Sequence, residues 1–267
     1  MMDAPWIAAV TAVFAWWFAT GAILLVVRLA DRRGGRAHLW ATLGGLPFLL
    51  IGGVLVVVSL NDHSTAGVYT AFAGALAIWG WVELSFLTGV VTGPVLDCAW
   101  PGQRGWARFQ RAFATVAWHE LALVLGLLAL VLASDGAVNR VALATYMVLF
   151  LARICAKLNL YFGVPRINTE FVPARLSHLT SYFTRGPVTL AFPLSITVLT
   201  VLFAVCAERL WSAAVPATAT GYALLTALAG LALLEHWLMV VPLPDAKLWR
   251  WMLPHPTHDT ESETHGL

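Results

Sequence analysis

Seven side chains that can ligate a metal or carry charge stand within or beside long apolar runs of this sequence: Glu83, His119, Glu120, Glu170, His178, Glu235 and His236. Carboxylates together with imidazoles are the ligand inventory of a di-iron or di-manganese centre built into a helical bundle. The match is one of inventory. Ferritin-like sites use Glu-x-x-His, which puts both ligands on one helical face, whereas His119-Glu120 and Glu235-His236 are neighbours that point about 100° apart. Arg153 and Lys157 interrupt another apolar run, and with Glu83, Glu120 and Glu235 they supply the charges of a buried ion-pair network. His119 or His236 also has the chemistry of an axial ligand to a bound tetrapyrrole. The residue types leave three readings open: metal centre, ion-pair network and pigment ligand.

These groups share a depth. With a helical rise of about 1.5 Å per residue, Glu83 lies about 12 Å before Val91, His119 about 12 Å after Arg111 and Glu235 about 10 Å before Pro242. Helices that alternate in direction bring all three to one level. Glu170 and His178 fall in a polar segment that can fold over that level. Ionisable groups are costly in hydrocarbon unless partnered, so a common plane points to a common role.

The elements that position them are membrane spans. The 267 residues are 60% apolar and only 11% charged, with a mean hydropathy of +0.78, which excludes an ordinary soluble chain. Seven apolar runs are long enough to cross a bilayer: Trp6 to Leu29, Leu39 to Leu60, Ala66 to Val91, Arg111 to Ala133, Asn139 to Phe162, Val188 to Ala207 and Ala219 to Val241. The first carries Asp3 ahead of it and no basic residue, and reads as a retained span rather than a secretion signal. Of the 16 lysines and arginines, only Arg140 and Arg209 fall on one side of the array. The others flank the remaining connections and the tail, which predicts an outward N-terminus and a cytoplasmic C-terminus. The expected fold is thus an all-α integral membrane bundle of seven helices.

A single domain over residues 1–253 and a disordered cytoplasmic tail over 254–267 are expected, with Pro242 to Leu253 as an interfacial anchor rich in Trp249, Trp251, Lys247 and Arg250. Thr92 to Gln110 reads as an irregular loop with no room for an eighth helix. Val164 to Pro187 reads as an amphiphilic segment that lies along the interface or folds back under the bundle. His255, His258 and His265 in the tail read as solvated. Trp79, Trp81, Trp118 and Trp237 lie deep enough to wall a pocket or to fill helix contacts. The net charge of +2 reflects topology and gives no footprint for nucleic acid. Three cysteines imply neither a disulfide framework nor a zinc site. No phosphate-binding loop, dinucleotide fingerprint, nucleophile elbow or H-E-x-x-H motif occurs.

Four stretches carry a resemblance: WGWVELSFLTGVVTGP from Trp79 to Pro94, WHELAL from Trp118 to Leu123, AKLNLYFGVPRINTEFVPARLSHLTSYF from Ala156 to Phe183, and LEHWLMVVPLPDAKLWRW from Leu234 to Trp251. Together they resemble the photosynthetic complex assembly protein 2 family of purple-type phototrophic bacteria. The resemblance implies an inner-membrane protein, including the intracytoplasmic photosynthetic membrane, associated with reaction-centre genes. It would support assembly of the reaction centre and light-harvesting complex or the supply of bacteriochlorophyll, with their subunits as partners. It transfers no catalytic role. The rival expectation is a membrane-embedded di-iron or di-manganese oxidoreductase acting on a lipophilic pigment or precursor, with Glu83, His119, Glu120, Glu170, His178, Glu235 and His236 as ligands. Bacteriochlorophyll or a precursor on His119 or His236 is the third expectation.

Overall fold

The computed structural model describes residues 4–242. The expected anchor beyond Pro242, the tail over 254–267 and its three histidines lie outside the described residues. The chain forms α1 (Pro5–Arg33), α2 (Ala37–Ser59), α3 (Thr65–Leu87), α4 (Gly105–Ala114), α5 (Ala117–Ala133), α6 (Val141–Phe162), α7 (Ala191–Trp211) and α8 (Pro216–Leu238). Two 3-10 segments, Thr169–Phe171 and Ala174–Tyr182, lie between α6 and α7. Among the described residues there is no strand, only an isolated bridge between Val164 and Arg185.

Six of these helices are long and apolar enough to cross a membrane, and α4 with α5 makes a seventh span if the bent pair counts as one. Large apolar side chains of α1 and α2, such as Phe14, Phe18, Phe48 and Ile51, are exposed along their length. Water would penalise such a surface and lipid does not. The chain is a multi-pass membrane protein.

The fourth expected run, Arg111 to Ala133, is not one helix. It bends by 68° between α4 and α5, and α4 occupies part of the stretch expected to be an irregular loop. Around Arg111, Ala112 and Phe113 the carbonyls turn back onto the Thr115 N–H, and the Thr115 hydroxyl donates to the Ala112 carbonyl at 2.6 Å. The α4 segment is amphipathic rather than apolar. Trp106 stacks on Phe109, and Arg108 lies 4.7 Å over the Tyr161 ring. It therefore peels away from the axis of α5, whose 17 residues alone span about 25 Å.

The helix α3 is the hub, touching α1, α2, α5, α6 and α8. Its apolar face (Phe72, Ala75, Trp79, Val82) meets Leu123 of α5, Tyr146 of α6 and Leu224 and Leu228 of α8, all buried. Contact with α2 is close because Gly52 and Gly74 face each other. A Cβ on either would stand 2.9 Å from the other's carbonyl oxygen, the small-residue crossing typical of membrane helices.

One end of the bundle gathers the basic connections. Arg175 donates to the Gly35 carbonyl at 3.0 Å, the Arg166 N–H to Met239 at 3.0 Å, and Arg108 to Tyr182 at 2.9 Å. Residues 164–187 thus fold back across the ends of α1, α6 and α8. At this basic end α1, α3, α6 and α8 terminate.

Candidate functional site

The last turn of α3, the first turn of α5 and the middle of α6 build the site. Glu83 and Phe86 are i and i+3 on α3, and Arg153 and Lys157 are i and i+4 on α6, so each pair shares a helical face. The Arg153 guanidinium donates from Nη2 to Glu83 Oε2 at 2.8 Å, and Lys157 pairs with Glu120. Glu120 sits in the first turn of α5, where the helix dipole favours a negative charge. Phe86 holds the two pairs together. Arg153 lies 5.5 Å and Lys157 5.6 Å over its ring, and His119 stacks on it at 4.2 Å.

His119 is fully buried, and its Nε2 stands 3.8 Å from Glu83 Oε1. Neither imidazole nitrogen nor that oxygen has a hydrogen-bond partner among the described residues. The start of α5 is fixed where the His119 N–H donates to the Thr92 carbonyl at 2.9 Å. Gly93, next in the chain, runs so close to the Ala114 carbonyl and Thr115 that no Cβ fits. The bend between α4 and α5 therefore places His119 and Glu120 against α3 and α6.

The remaining expected ligands stand apart. Glu235 accepts a hydrogen bond from the Trp16 indole at 3.0 Å, on the α1 side of α8, and lies within electrostatic reach of Arg153. His236 continues the buried face of α8, its Nδ1 2.8 Å from the Ala232 carbonyl, which therefore takes its N–H. Glu170 is exposed in a recess of about 60 Å³ beside Arg28 and Asp31 of α1. His178 is buried in the 3-10 segment beside Leu176 and Leu179. Burial pushes its imidazole below the ordinary value, against the opposing pull of the Arg175 carbonyl and the Asp97 charge.

Of the seven expected ligands, the fold thus gathers Glu83, His119 and Glu120 around Phe86 and spreads Glu170, His178, Glu235 and His236 over four further places. Among the described residues no group of three or more His, Cys, Asp or Glu side chains is placed to hold a metal ion. The reason is visible in the charges. Both gathered carboxylates already have a cation of α6 as counter-charge. Adjacent residues also diverge on a helix, so Glu235 turns to α1 while His236 turns inward.

The pattern of residues 2–260 matches the family described as "protein of unknown function (DUF3623)". The chain belongs to the DUF3623 family. It is 47% identical over 253 residues, 95% of this chain and 92% of the other, to an "uncharacterized 30.4 kDa protein in puhA 5′ region" of Rhodobacter capsulatus. No solved structure matches the chain. All the residues described above in this DUF3623 protein fall within the matched stretch.

Two features of the DUF3623 site escape sequence reasoning. Phe86 looks like one more apolar residue, and only its i+3 spacing from Glu83 hints at its place. Trp16 lies far from any predicted boundary, an indole N–H donor in hydrocarbon, and that depth is its one signal. Outside those two features, a buried polar layer between α6, α7 and α8 is a third omission. Cys155, Leu199 and Ala232 pack together. One helical turn nearer the basic end on each helix stand Asn159, Ser195 and His236, all buried. The Asn159 amide atoms and His236 Nε2 have no partner among the described residues. Of the deep tryptophans, Trp79 packs edge-on against Tyr146 at 5.1 Å and Trp81 donates to the Thr42 carbonyl at 3.1 Å. Trp118 and Trp237 face outward.

Proposed function

We infer that this DUF3623 chain is a membrane factor that supports assembly of the bacterial photosynthetic reaction centre and light-harvesting complex, or the supply of bacteriochlorophyll to it. One observation carries the reading: a relative 47% identical along almost the whole chain lies in the puhA 5′ region. That is the setting expected from the resemblance to photosynthetic complex assembly proteins, which are associated with reaction-centre genes. Geometry is consistent with a scaffold. The charges of α3, α5 and α6 are spent on one another, which fixes the helix packing and leaves the outer faces of α1, α2 and α7 to lipid or to partner helices.

In this reading α4 and α5 together form the seventh span, the N-terminus is outside, and the basic end faces the cytoplasm, as the distribution of lysine and arginine favours. The membrane is the inner membrane with its intracytoplasmic extensions. The test is deletion of the gene in a phototrophic host, followed by near-infrared absorbance of isolated membranes. A fall in assembled reaction centre and light-harvesting complex, restored by the wild-type gene, is expected. Unchanged complex yield during phototrophic growth rules the reading out.

A further inference from the structure

With its N-cap Arg104, α4 divides into two faces. Trp106, Phe109 and Phe113 follow at i, i+3 and i+7, and at about 100° per residue they stand opposite Arg104, Arg108 and Arg111. The basic face is the one the protein covers. Arg108 donates to the Tyr182 carbonyl at 2.9 Å and to Thr184 Oγ1 at 3.3 Å, while Arg111 donates to Asp97 at 3.1 Å and lies 3.9 Å over the Trp100 ring. The aromatic face is open. Trp106 is 68% exposed and Phe113 51%, and Phe109 is half-buried, edge-on against Tyr161 at 5.5 Å. A helix on the surface of a soluble protein turns the other way, with apolar side chains inward and charges outward.

Orientation and length say what lies on that open face. The axis of α4 leaves that of α5 at 68°, so with α5 crossing the bilayer α4 lies closer to the membrane plane than to its normal. The 17 residues of α5 span about 25 Å, short of a hydrocarbon core of about 30 Å. An amphipathic helix in the interface sinks its apolar side by about 5–10 Å, which accounts for the shortfall. Exposed aromatics continue beside α4 at the same basic end: Trp118 in the first turn of α5 is 54% exposed, and Phe162, the last residue of α6, 48%. Tryptophan clustered at one level outside a helical bundle is the signature of the head-group layer.

We propose that α4 lies in the plane of the bilayer at the basic end, with Trp106 and Phe113 sunk at the boundary between phospholipid head groups and acyl chains. The bilayer itself is the partner of this face. Arg104, exposed at the start of α4, reaches the phosphate layer, where a guanidinium pairs with phosphate oxygens. The anchor bears on the site, because the bend it holds places His119 and Glu120 against α3 and α6. The proposal rests on α4 and α5 forming the seventh span, as in the reading above, and is independent of the role in assembly.

The experiment uses the full-length protein in vesicles of phosphatidylcholine and phosphatidylglycerol, with a nitroxide on one introduced cysteine at a time. Cys98, which is exposed, is replaced by serine throughout, and Cys155 and Cys206 are buried. Power saturation compares oxygen, which concentrates in hydrocarbon, with a nickel chelate, which stays in water. Leu125→Cys, midway along α5, is expected to be the deepest position and His63→Cys, in the connection between α2 and α3, the shallowest. Trp106→Cys and Phe113→Cys should fall between them, with an oxygen-to-nickel ratio several-fold above that of His63→Cys. A ratio equal to that of His63→Cys overturns the proposal, as does a depth equal to that of Leu125→Cys. Exclusion of both reagents overturns it too, since a protein partner then covers the face. Nickel access in Leu125→Cys overturns the seventh span and the proposal together, whereas oxygen there with water at the two α4 positions overturns the proposal alone. If Trp106→Cys does not fold, Phe113→Cys decides.

Discussion

Glu83 of α3 and Arg153 of α6 meet at 2.8 Å, at the level where His119, Glu120 and Lys157 also stand. The contact bears on both chemistry and stability. It supplies the counter-charge that a metal ion would otherwise provide, and it ties the hub helix to α6.

Removing one partner leaves the other charged, buried and alone. Arg153→Met is expected to destabilise the protein by roughly 3 kcal/mol, the lower end of the range for a broken buried pair because Arg153 is partly exposed. The double variant Glu83→Gln/Arg153→Met should recover most of that loss. Thermal unfolding in detergent measures both, and additive losses would show that the pair is not coupled.

Metal content follows from the same contact. The purified protein, prepared without chelators, is expected to carry iron and manganese far below one ion per chain, and Glu120→Gln should leave that content unchanged. Stoichiometric metal lost in Glu120→Gln would require Lys157 to leave its carboxylate and would restore the metal-centre expectation.

Asn159 is fully buried with both amide atoms unpartnered among the described residues. Burying such groups costs about 1–3 kcal/mol each, so Asn159→Leu, of nearly the same size, should unfold at the same temperature as wild type or higher. A marked fall would reveal a hydrogen bond that Asn159 makes in the bilayer.

His178 sets a pH dependence. Its folded imidazole takes a proton only below the ordinary 6.5, because burial disfavours the charge. The unfolded chain binds the proton first as pH falls through that value. Between the two, the unfolded state holds more protons, so stability declines with acidification and is fully present above the ordinary value. His178→Gln should flatten the decline below pH 6.5. An identical acid profile in the variant would assign the decline to other groups.

Topology is testable by fusion. An alkaline phosphatase reporter after Asp62, in the connection between α2 and α3, is expected to be active, and one at the C-terminus inactive. Activity at both positions would mean six spans, with α4 and α5 failing to cross.

Much of this protein is determined locally. The apolar runs, their lengths and the bias of lysine and arginine follow from single residues and near neighbours, because the bilayer forces every backbone group to pair within its own segment. That is why the runs of α1, α2, α3, α6, α7 and α8 were legible in the sequence to within a few residues. Of the common depth read for Glu83, His119 and Glu235, the meeting of Glu83 and His119 at 3.8 Å was legible too, since helical rise is fixed. Direction around the axis was not. Whether Glu235 joins that cluster, whether Arg153 turns to Glu83 or to the interface, and whether Phe86 sits between two ion pairs depend on how each helix is rotated against its neighbours. That rotation is set by contacts far apart in the chain, such as Gly52 on Gly74 and Trp16 on Glu235. The break between α4 and α5 belongs to the same class. An apolar run predicts a helix, but the close passage of Gly93 against Ala114 and Thr115 decides where it bends, and so where His119 points.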